Sequence, residues 1–510
     1  MPSRPRSSPR VVALGALVAV LVAASPVLAR PGTKALTLND VIARAKAAAE
    51  FSSSTKTEIE DWDLVAEGLS GTQTIARRGR DFTVTTRLGP FLTERGRAAN
   101  QPWHQDENGV TVLDHDRSER VTAHSLERVS TPVEAYVVLE TLASGHVLRS
   151  YYDPRTFVLL RREKWVAGRF SYTAWDDFHT ETSGHIEAWH YKGEDSDGTV
   201  FEYRMRSERD ASSGEITPFT VPRSRRVVDE FPTGQHFVRL PARFDRHRIL
   251  VRVGVGRRSY DFLLDSGASG IVVGSEVARQ QGLEIYGSGS AKGAAAVASG
   301  RVIAPQLEVG ALRLHDVVMR TAPLGEEERR DHIAGFLGFD FFSSAVLRID
   351  FERGTLDAYE PGSFAAPLGS TIVDVRLNNQ VPETGVRVGD SAGDNFLVDT
   401  GAATTLLVFS HFARAHPSDV ADDGVGALLA SSGIGIAANG IGGRIGLRPV
   451  RVKRFRFGRT VFDEPLVYLA DSPYALGLDT ADGLVGADVL SRFTVYFDYW
   501  RSRILLEPPR

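Results

Sequence analysis

Two short segments of this chain carry residues that could do acid–base chemistry together. An apolar run, Phe262-Leu-Leu264, leads directly into Asp265-Ser-Gly-Ala268, and Phe396-Leu-Val398 leads into Asp399-Thr-Gly-Ala402. An acid at the end of a hydrophobic strand is costly to bury unless it is hydrogen-bonded or paired. Gly267 and Gly401 allow a sharp turn that brings main-chain N–H groups toward the carboxylate. The Ser266 and Thr400 hydroxyls can reach across to the opposite loop and lock the two together. If the loops meet about a pseudo-twofold axis, their carboxylates are too close to ionise independently and share a proton. The ionised member can then activate a water while the protonated member donates to a carbonyl oxygen.

A single Asp-Ser-Gly or Asp-Thr-Gly is an ordinary turn or cap signal. The weight lies in the duplication around it. The first copy continues through Leu307-Glu-Val-Gly310 and Gly335-Phe-Leu-Gly-Phe-Asp-Phe-Phe342 to Leu347-Arg-Ile-Asp-Phe351. The second continues through Phe455-Arg-Phe-Gly458 and Gly483-Leu-Val-Gly-Ala-Asp-Val-Leu490 to Val495-Tyr-Phe-Asp-Tyr499. Gly310 to Gly338 and Gly458 to Gly486 are each 28 positions apart, whereas Asp265 to Gly310 is 45 and Asp399 to Gly458 is 59. Two folding units in register, differing by one glycine-rich loop, explain that pattern. The turn-forming stretch Pro361-Gly-Ser-Phe-Ala-Ala-Pro367 marks their join.

With these motifs in place, residues 236–510 resemble the pepsin-like and retropepsin-like aspartic proteases, particularly bacterial exported members with two retropepsin-type halves in one chain. The resemblance implies that Asp265 and Asp399 form the catalytic pair, supported by Ser266, Gly267, Ala268, Thr400, Gly401 and Ala402. It implies that the companion segments Phe336-Leu337-Gly338 and Leu484-Val485-Gly486 run beneath the catalytic loops. Alanine after each glycine matches the retropepsin branch. Without a hydroxyl there, the carboxylates are less stabilised as anions, which points to a mildly acidic optimum. The family also needs closing flaps. Gly287, Gly289 and Gly293 in one half, and Gly440, Gly442 and Gly443 in the other, are the candidates, equally readable as plain hairpin tips.

Ahead of this region, Leu36 to Glu50 has helical spacing. From Thr55 to Asp229 the pattern alternates, with turns at Glu107-Asn-Gly109, Ser183-Gly184 and Asp195-Ser-Asp-Gly198. That predicts a mostly antiparallel β domain. It holds Trp62, Trp103, Trp165, Trp175 and Trp189, five of six tryptophans. A curved sheet with an aromatic-lined face would suit them, and core packing accounts for them too.

At the N-terminus, Arg4, Arg6 and Arg10 precede the apolar run Val11 to Ala24, and Val27-Leu-Ala29 follows. That order reads as a cleaved signal peptide, and an uncleaved anchor is the alternative. The chain is then periplasmic or secreted, with no stable membrane insertion after signal removal. A net charge of −4 over 510 residues gives no argument for nucleic acid. The absence of cysteine excludes disulfides, thiolate catalysis and Cys-ligated zinc. Gly287 to Gly293 lacks the Gly-Lys-Ser/Thr ending of a phosphate loop, and no Gly-x-Ser-x-Gly elbow occurs. His185 and His190 are five apart on an alternating segment, the wrong spacing for a helical zinc site. The basic runs at Arg223 to Arg226 and Arg451 to Arg454 read as solvated strand ends.

The expected architecture is all-β with minor helices: a signal peptide (1–29), a β-rich domain (30–234) and two lobes (235–362 and 363–510), each a small closed sheet. The expected activity is aspartic endopeptidase acting on an extended peptide, as a monomer, with no cofactor or metal. A noncatalytic binding protein that kept the fold is the rival reading, and the N-terminal domain could act as an apolar-ligand carrier or an inhibitory propeptide.

Overall fold

The computed structural model describes residues 36–49, 56–115, 120–166, 169–180, 185–212, 215, 219–292, 296–420, 436–440, 443–470 and 480–508. The expected signal segment and the turn at Ser183-Gly184 lie outside the described residues. Among the described residues, regular structure is almost entirely strand, arranged in four sheets. The helix predicted near the start spans Leu38–Ala49. Its first turn is fixed by a reciprocal cap: the Thr37 N–H donates to Asp40 Oδ2 at 2.8 Å, and the Asp40 N–H donates to Thr37 Oγ1 at 3.2 Å. Val41 turns inward and, with Ile42 partly buried beside it, packs with Val138 of the adjoining sheet and Phe157 of the turn that follows Tyr152.

That sheet has thirteen strands from Glu58–Ala66 to Val200–Asp210, neighbouring pairs running antiparallel. The first and last strands pair with each other, with Trp62 opposite Met205, so two meandering wings join at the centre. Positive φ at Gly109 (+75°) and Gly198 (+86°) explains why those turns carry glycine. Trp62 and Trp103 are core residues; Trp165, Trp175 and Trp189 are half-buried. The tryptophans therefore do not share one environment. The Trp103 ring lies against Gly96, where a Cβ would come within 2.8 Å of it.

The boundary expected at 234/235 falls after a strand that already belongs to the next unit. Val228–Glu230 pairs with Leu312–Ala322, and Val227 and Val228 are buried in the core of the C-terminal region. The chain reaches that core earlier because the linker is itself apolar there.

Both copies of the repeat build the same arrangement. Arg258–Leu264 pairs in parallel with Ile333–Leu337, and Ser391–Asp399 pairs in parallel with Gly483–Gly486. Gly335 and Gly483 make room for the aromatic side chain on the neighbouring strand. A Cβ at Gly335 would come within 2.5 Å of the Phe262 ring, and one at Gly483 within 2.3 Å of Phe396. Both phenylalanines are fully buried, worth about 1.5–3 kcal/mol each. In the first copy, pairing between Ala296–Val309 and Leu312–Ala322 closes the strand path on itself, as expected. In the second, the counterpart strands are each broken in two, Gly443–Arg451 with Arg454–Phe457 and Thr460–Asp463 with Leu466–Ala470. Its hydrogen-bonded path is open among the described residues, because Val452 turns inward at the break.

A six-stranded sheet draws on both copies. Val346–Asp350 and Thr494–Asp498 lie antiparallel at its centre, with Leu347 opposite Phe497. Each central strand ends in a buried acid held by arginines: Asp350 by Arg348 and Arg353, Asp498 by Arg501 and Arg503. The stretch expected to join the halves starts with a 3-10 turn at Pro361–Ser363.

Candidate active site

The end of each inner strand delivers its aspartate into a tight loop. The Asp265 N–H donates to Leu337 O at 3.0 Å, the last rung of the parallel pairing. The chain then turns, and the Gly267 N–H donates to Asp265 Oδ1 at 2.9 Å. In the other half, Gly401 N–H (2.8 Å) and Ala402 N–H (3.2 Å) both donate to Asp399 Oδ1.

The two loops are stitched together by four hydrogen bonds between buried groups. Ser266 Oγ donates to Val398 O at 2.8 Å and accepts from the Thr400 N–H at 3.0 Å. Thr400 Oγ1 donates to Leu264 O at 2.9 Å and accepts from the Ser266 N–H at 3.0 Å. Each hydroxyl thus satisfies a backbone donor and a backbone acceptor of the opposite half, where an unsatisfied group would cost about 1–3 kcal/mol.

This stitching brings the carboxylates together. A Cβ at Gly401 would lie 2.5 Å from Asp265 Cγ, and one at Gly267 would lie 2.6 Å from Asp399 Cγ. Both carboxyls are enclosed by protein yet half-buried, with part of their surface open to solvent. Burial raises both above the ordinary carboxylate range, and mutual repulsion adds to the rise at Asp265. At Asp399 the hydrogen bond from Asp265 and the Gly401, Ala402 and Gly267 N–H groups pull partly the other way. Backbone N–H groups of Gly267 and Ala268 act in the same sense on Asp265, and the two carboxyls, both raised, hold one proton between them.

The companion segments buttress the loops from behind. Phe339 N–H donates to Ala268 O at 3.0 Å, and Ala487 N–H donates to Ala402 O at 2.8 Å. A Cβ at Gly338 would come within 2.2 Å of Gly270 O, and one at Gly486 within 2.0 Å of Thr404 O, so neither position admits a side chain. Two residues beyond each glycine stands an acid, at matching positions of the repeat. Asp340 Oδ2 accepts from the Ile271 N–H at 3.0 Å. Asp488 Oδ2 accepts from Thr405 Oγ1 at 2.7 Å, and its other oxygen lies 3.3 Å from His247 of the first half. These acids stand in the matching segments of both copies, yet a search for catalytic loops alone passes over them.

Tyr499 was also missed. Its phenol is buried and raised well above the usual tyrosine range, by burial first and then by the negative field of Asp399 and Asp265. Its hydroxyl has no hydrogen-bond partner among the described residues. As the aromatic end of the second closing segment, it reads in sequence as plain core.

The flap candidates divide. Gly293 and Gly442 lie outside the described residues. Gly440 and Gly443 face each other across the end of a hairpin. Gly287 and Gly289 are packed in place rather than free as hinges. Gly287 has φ +70°, and a Cβ there would come within 2.9 Å of Glu67 O; one at Gly289 would come within 3.0 Å of the Glu67 carboxyl. The Ser288 N–H donates to the same Glu67 carbonyl at 2.6 Å. Their side-chain-free surface lets a turn of the N-terminal sheet approach. Buried Arg301, on the same hairpin, holds Glu67 at 2.7 Å and lies 3.0 Å from Glu107.

Among the described residues, no group of three or more His, Cys, Asp or Glu is placed to hold a metal ion, and no helix is long and apolar enough to cross a membrane. His190 Nε2 instead pairs with Glu202 Oε1 at 2.9 Å, and its Nδ1 meets Asp176. Arg225 is exposed, and it also ties the linker down: its Nη2 donates to His315 O at 2.9 Å and its N–H to Gly109 O at 2.8 Å.

No curated protein matches the chain. Similar solved structures include an aspartic proteinase from Irpex lacteus, at 15% identity and a TM-score of 0.34, covering 53% of this chain and 97% of that one. A protein domain described as outer membrane lipoprotein-sorting, from Vibrio parahaemolyticus, is 10% identical with a TM-score of 0.26, covering 34% of this chain and 92% of that one. A DUF1329 family protein from Desulfovibrio piger is 11% identical, with the same TM-score and coverages. The aspartyl protease family model matches residues 250–341, which contain Asp265, Ser266, Gly267 and the companion Gly338. That segment is an aspartic protease-like region.

Proposed function

We propose that the chain is an exported aspartic endopeptidase with one active carboxyl in each of two retropepsin-type halves, Asp265 and Asp399. The observation that carries this reading is the contact of each carboxyl with the opposite loop's glycine, held by the crossed Ser266 and Thr400 bonds. Asp399, ionised, takes a proton from a water held between the carboxyls. Asp265 gives its proton to the scissile carbonyl oxygen as the water oxygen bonds to the carbonyl carbon. The tetrahedral intermediate collapses as Asp399 gives its proton to the amide nitrogen and a hydroxyl of the intermediate returns one to Asp265, breaking the C–N bond and leaving Asp265 protonated. An extended peptide lying between the halves is bound by strand-like hydrogen bonds. One chain supplies both acids, so a monomer suffices. Residues 1–29 direct export to the periplasm or beyond.

The test is cleavage of a mixed peptide library by the parent protein beside Asp265→Asn and Asp399→Asn, from about pH 3 to 7. Loss of cleavage in both variants supports the single two-acid site. Cleavage untouched by either substitution would sink it.

A further inference from the structure

We propose that Asp106, in the turn between Gln101–Gln105 and Thr111–Leu113 of the N-terminal sheet, is a positioning residue for the loop that carries Asp265. It acts through Asp340, and the proposal rests on reading Asp265 as an active carboxyl.

The geometry is a chain of three contacts. Asp340 accepts the Ile271 N–H at the end of the Asp265 loop. The Asn108 amide and, after it, the Asp106 carboxyl hydrogen-bond to Asp340. Gln380 of the second half donates to Asp106 Oδ2 at 2.6 Å. One N-terminal side chain therefore meets both halves of the C-terminal region. The repeat shows what is unusual here. In the second half, Asp488 is met by a base from the opposite half, His247. In the first, the matching acid, Asp340, is met by the Asn108 amide and by another acid, both supplied from outside the repeat.

The turn is held where it is needed. Asp106 Oδ1 accepts the Asn108 N–H at 3.0 Å and the Val110 N–H at 2.9 Å. Asn108 pairs with Val318 in both directions, donating to its carbonyl at 3.0 Å and accepting from its N–H at 2.8 Å. Val110 and Val112 belong to the same apolar core as the first half. Asp106 cannot withdraw from Asp340 without breaking these contacts.

A hydrogen bond between two carboxyls needs one shared proton. Burial pushes Asp340 up to about 6, and burial followed by the Asp340 charge raises Asp106 well above its ordinary value. Glu107 also faces the pair, and is itself countered by Arg301 at 3.0 Å and Arg320 at 3.5 Å. Groups whose values are raised by docking stabilise it fully below their undocked values, and that stabilisation fades as pH rises through the docked ones. The contact is therefore firm in mild acid and weakens toward neutrality, when two anions face each other. The support of the Asp265 loop and the shared proton of the Asp265–Asp399 pair are present over the same pH range.

The test uses the full chain with Asp106→Ala and Asp106→Asn. Hydrogen exchange of amides 266–271 is read at pH 5 and 7, beside the pH–rate profile for peptide cleavage. Asp106→Ala is expected to speed exchange of the Ile271 amide by about tenfold or more at pH 5, and to lower kcat with little change in KM. Asparagine can donate to Asp340 with no shared proton, with Gln380 turning its amide over to accept. Asp106→Asn should therefore keep parental protection at pH 5 and exceed it at pH 7. Parental protection in both variants at both pH values would overturn the proposal, and so would Asp106→Asn matching the alanine variant. If the parent cleaves no peptide, the exchange result still decides the role of Asp106, and the failure falls on the peptidase reading alone.

Discussion

The Asp265 carboxyl occupies the space that a side chain at Gly401 would need. The relation is reciprocal, since Gly267 stands in the same way to Asp399. Each glycine gives the other half's acid its place, and this exchange holds the carboxyls together.

Gly401→Ala and Gly267→Ala should each cut peptide cleavage by about a hundredfold or more. A Cβ 2.5 or 2.6 Å from a carboxyl carbon must push that carboxyl aside, and a shift of about 1 Å costs that much. Steady-state kinetics, with circular dichroism to verify folding, is the measurement.

Asp265→Asn should abolish cleavage yet stabilise the protein at pH 7. The folded-state value of Asp265 is raised, so its contribution to stability is complete below about pH 3.9, the unfolded value, and declines as pH rises through the folded one. An amide carries no such penalty. The gain in Tm should be about 2–4 °C for each kcal/mol relieved, and it should vanish near pH 3. Calorimetry at the two pH values checks the sign.

Ser266→Ala orphans Val398 O and the Thr400 N–H; Thr400→Val orphans Leu264 O and the Ser266 N–H. Each buried group left unmet costs about 1–3 kcal/mol. Thr400→Ser keeps both bonds and should stay close to the parent in denaturant unfolding.

Cleavage should peak in mild acid. Activity needs one proton on the pair, and burial raises both carboxyls, so the singly protonated state persists above the usual carboxylate range. A profile that peaks below about pH 3 would contradict this.

Tyr499→Phe should leave the protein as stable as the parent or about 1 kcal/mol more so, because it removes a buried hydroxyl with no partner. Denaturant unfolding decides, and a loss above about 1 kcal/mol would mean that the hydroxyl has a partner.

Much of this was legible in the sequence because it repeats. The apolar run before each aspartate, the glycine after it and the Phe-Leu-Gly and Leu-Val-Gly companions are local patterns, and their duplication made them specific. The pairing of Ser266 with Thr400 followed from side-chain chemistry once the loops were assumed to meet. What was not legible depends on contacts between distant segments. Asp106 sits in an ordinary turn sequence, and nothing near it points to a partner at Asp340, 234 positions away. Gly287 and Gly289 looked like hinges because a glycine needed for close approach has the same letter as one needed for motion. Strand Val228–Glu230 lies before the expected boundary yet joins the sheet beyond it, and its three residues carry no sign of which sheet they will join.

The six-stranded sheet has a mechanical consequence. Its central strands, Val346–Asp350 and Thr494–Asp498, come one from each copy and share backbone hydrogen bonds. The copies cannot swing apart like jaws without tearing that seam. Any rearrangement around the paired Asp265 and Asp399 loops must then come from segments that lie outside the seam.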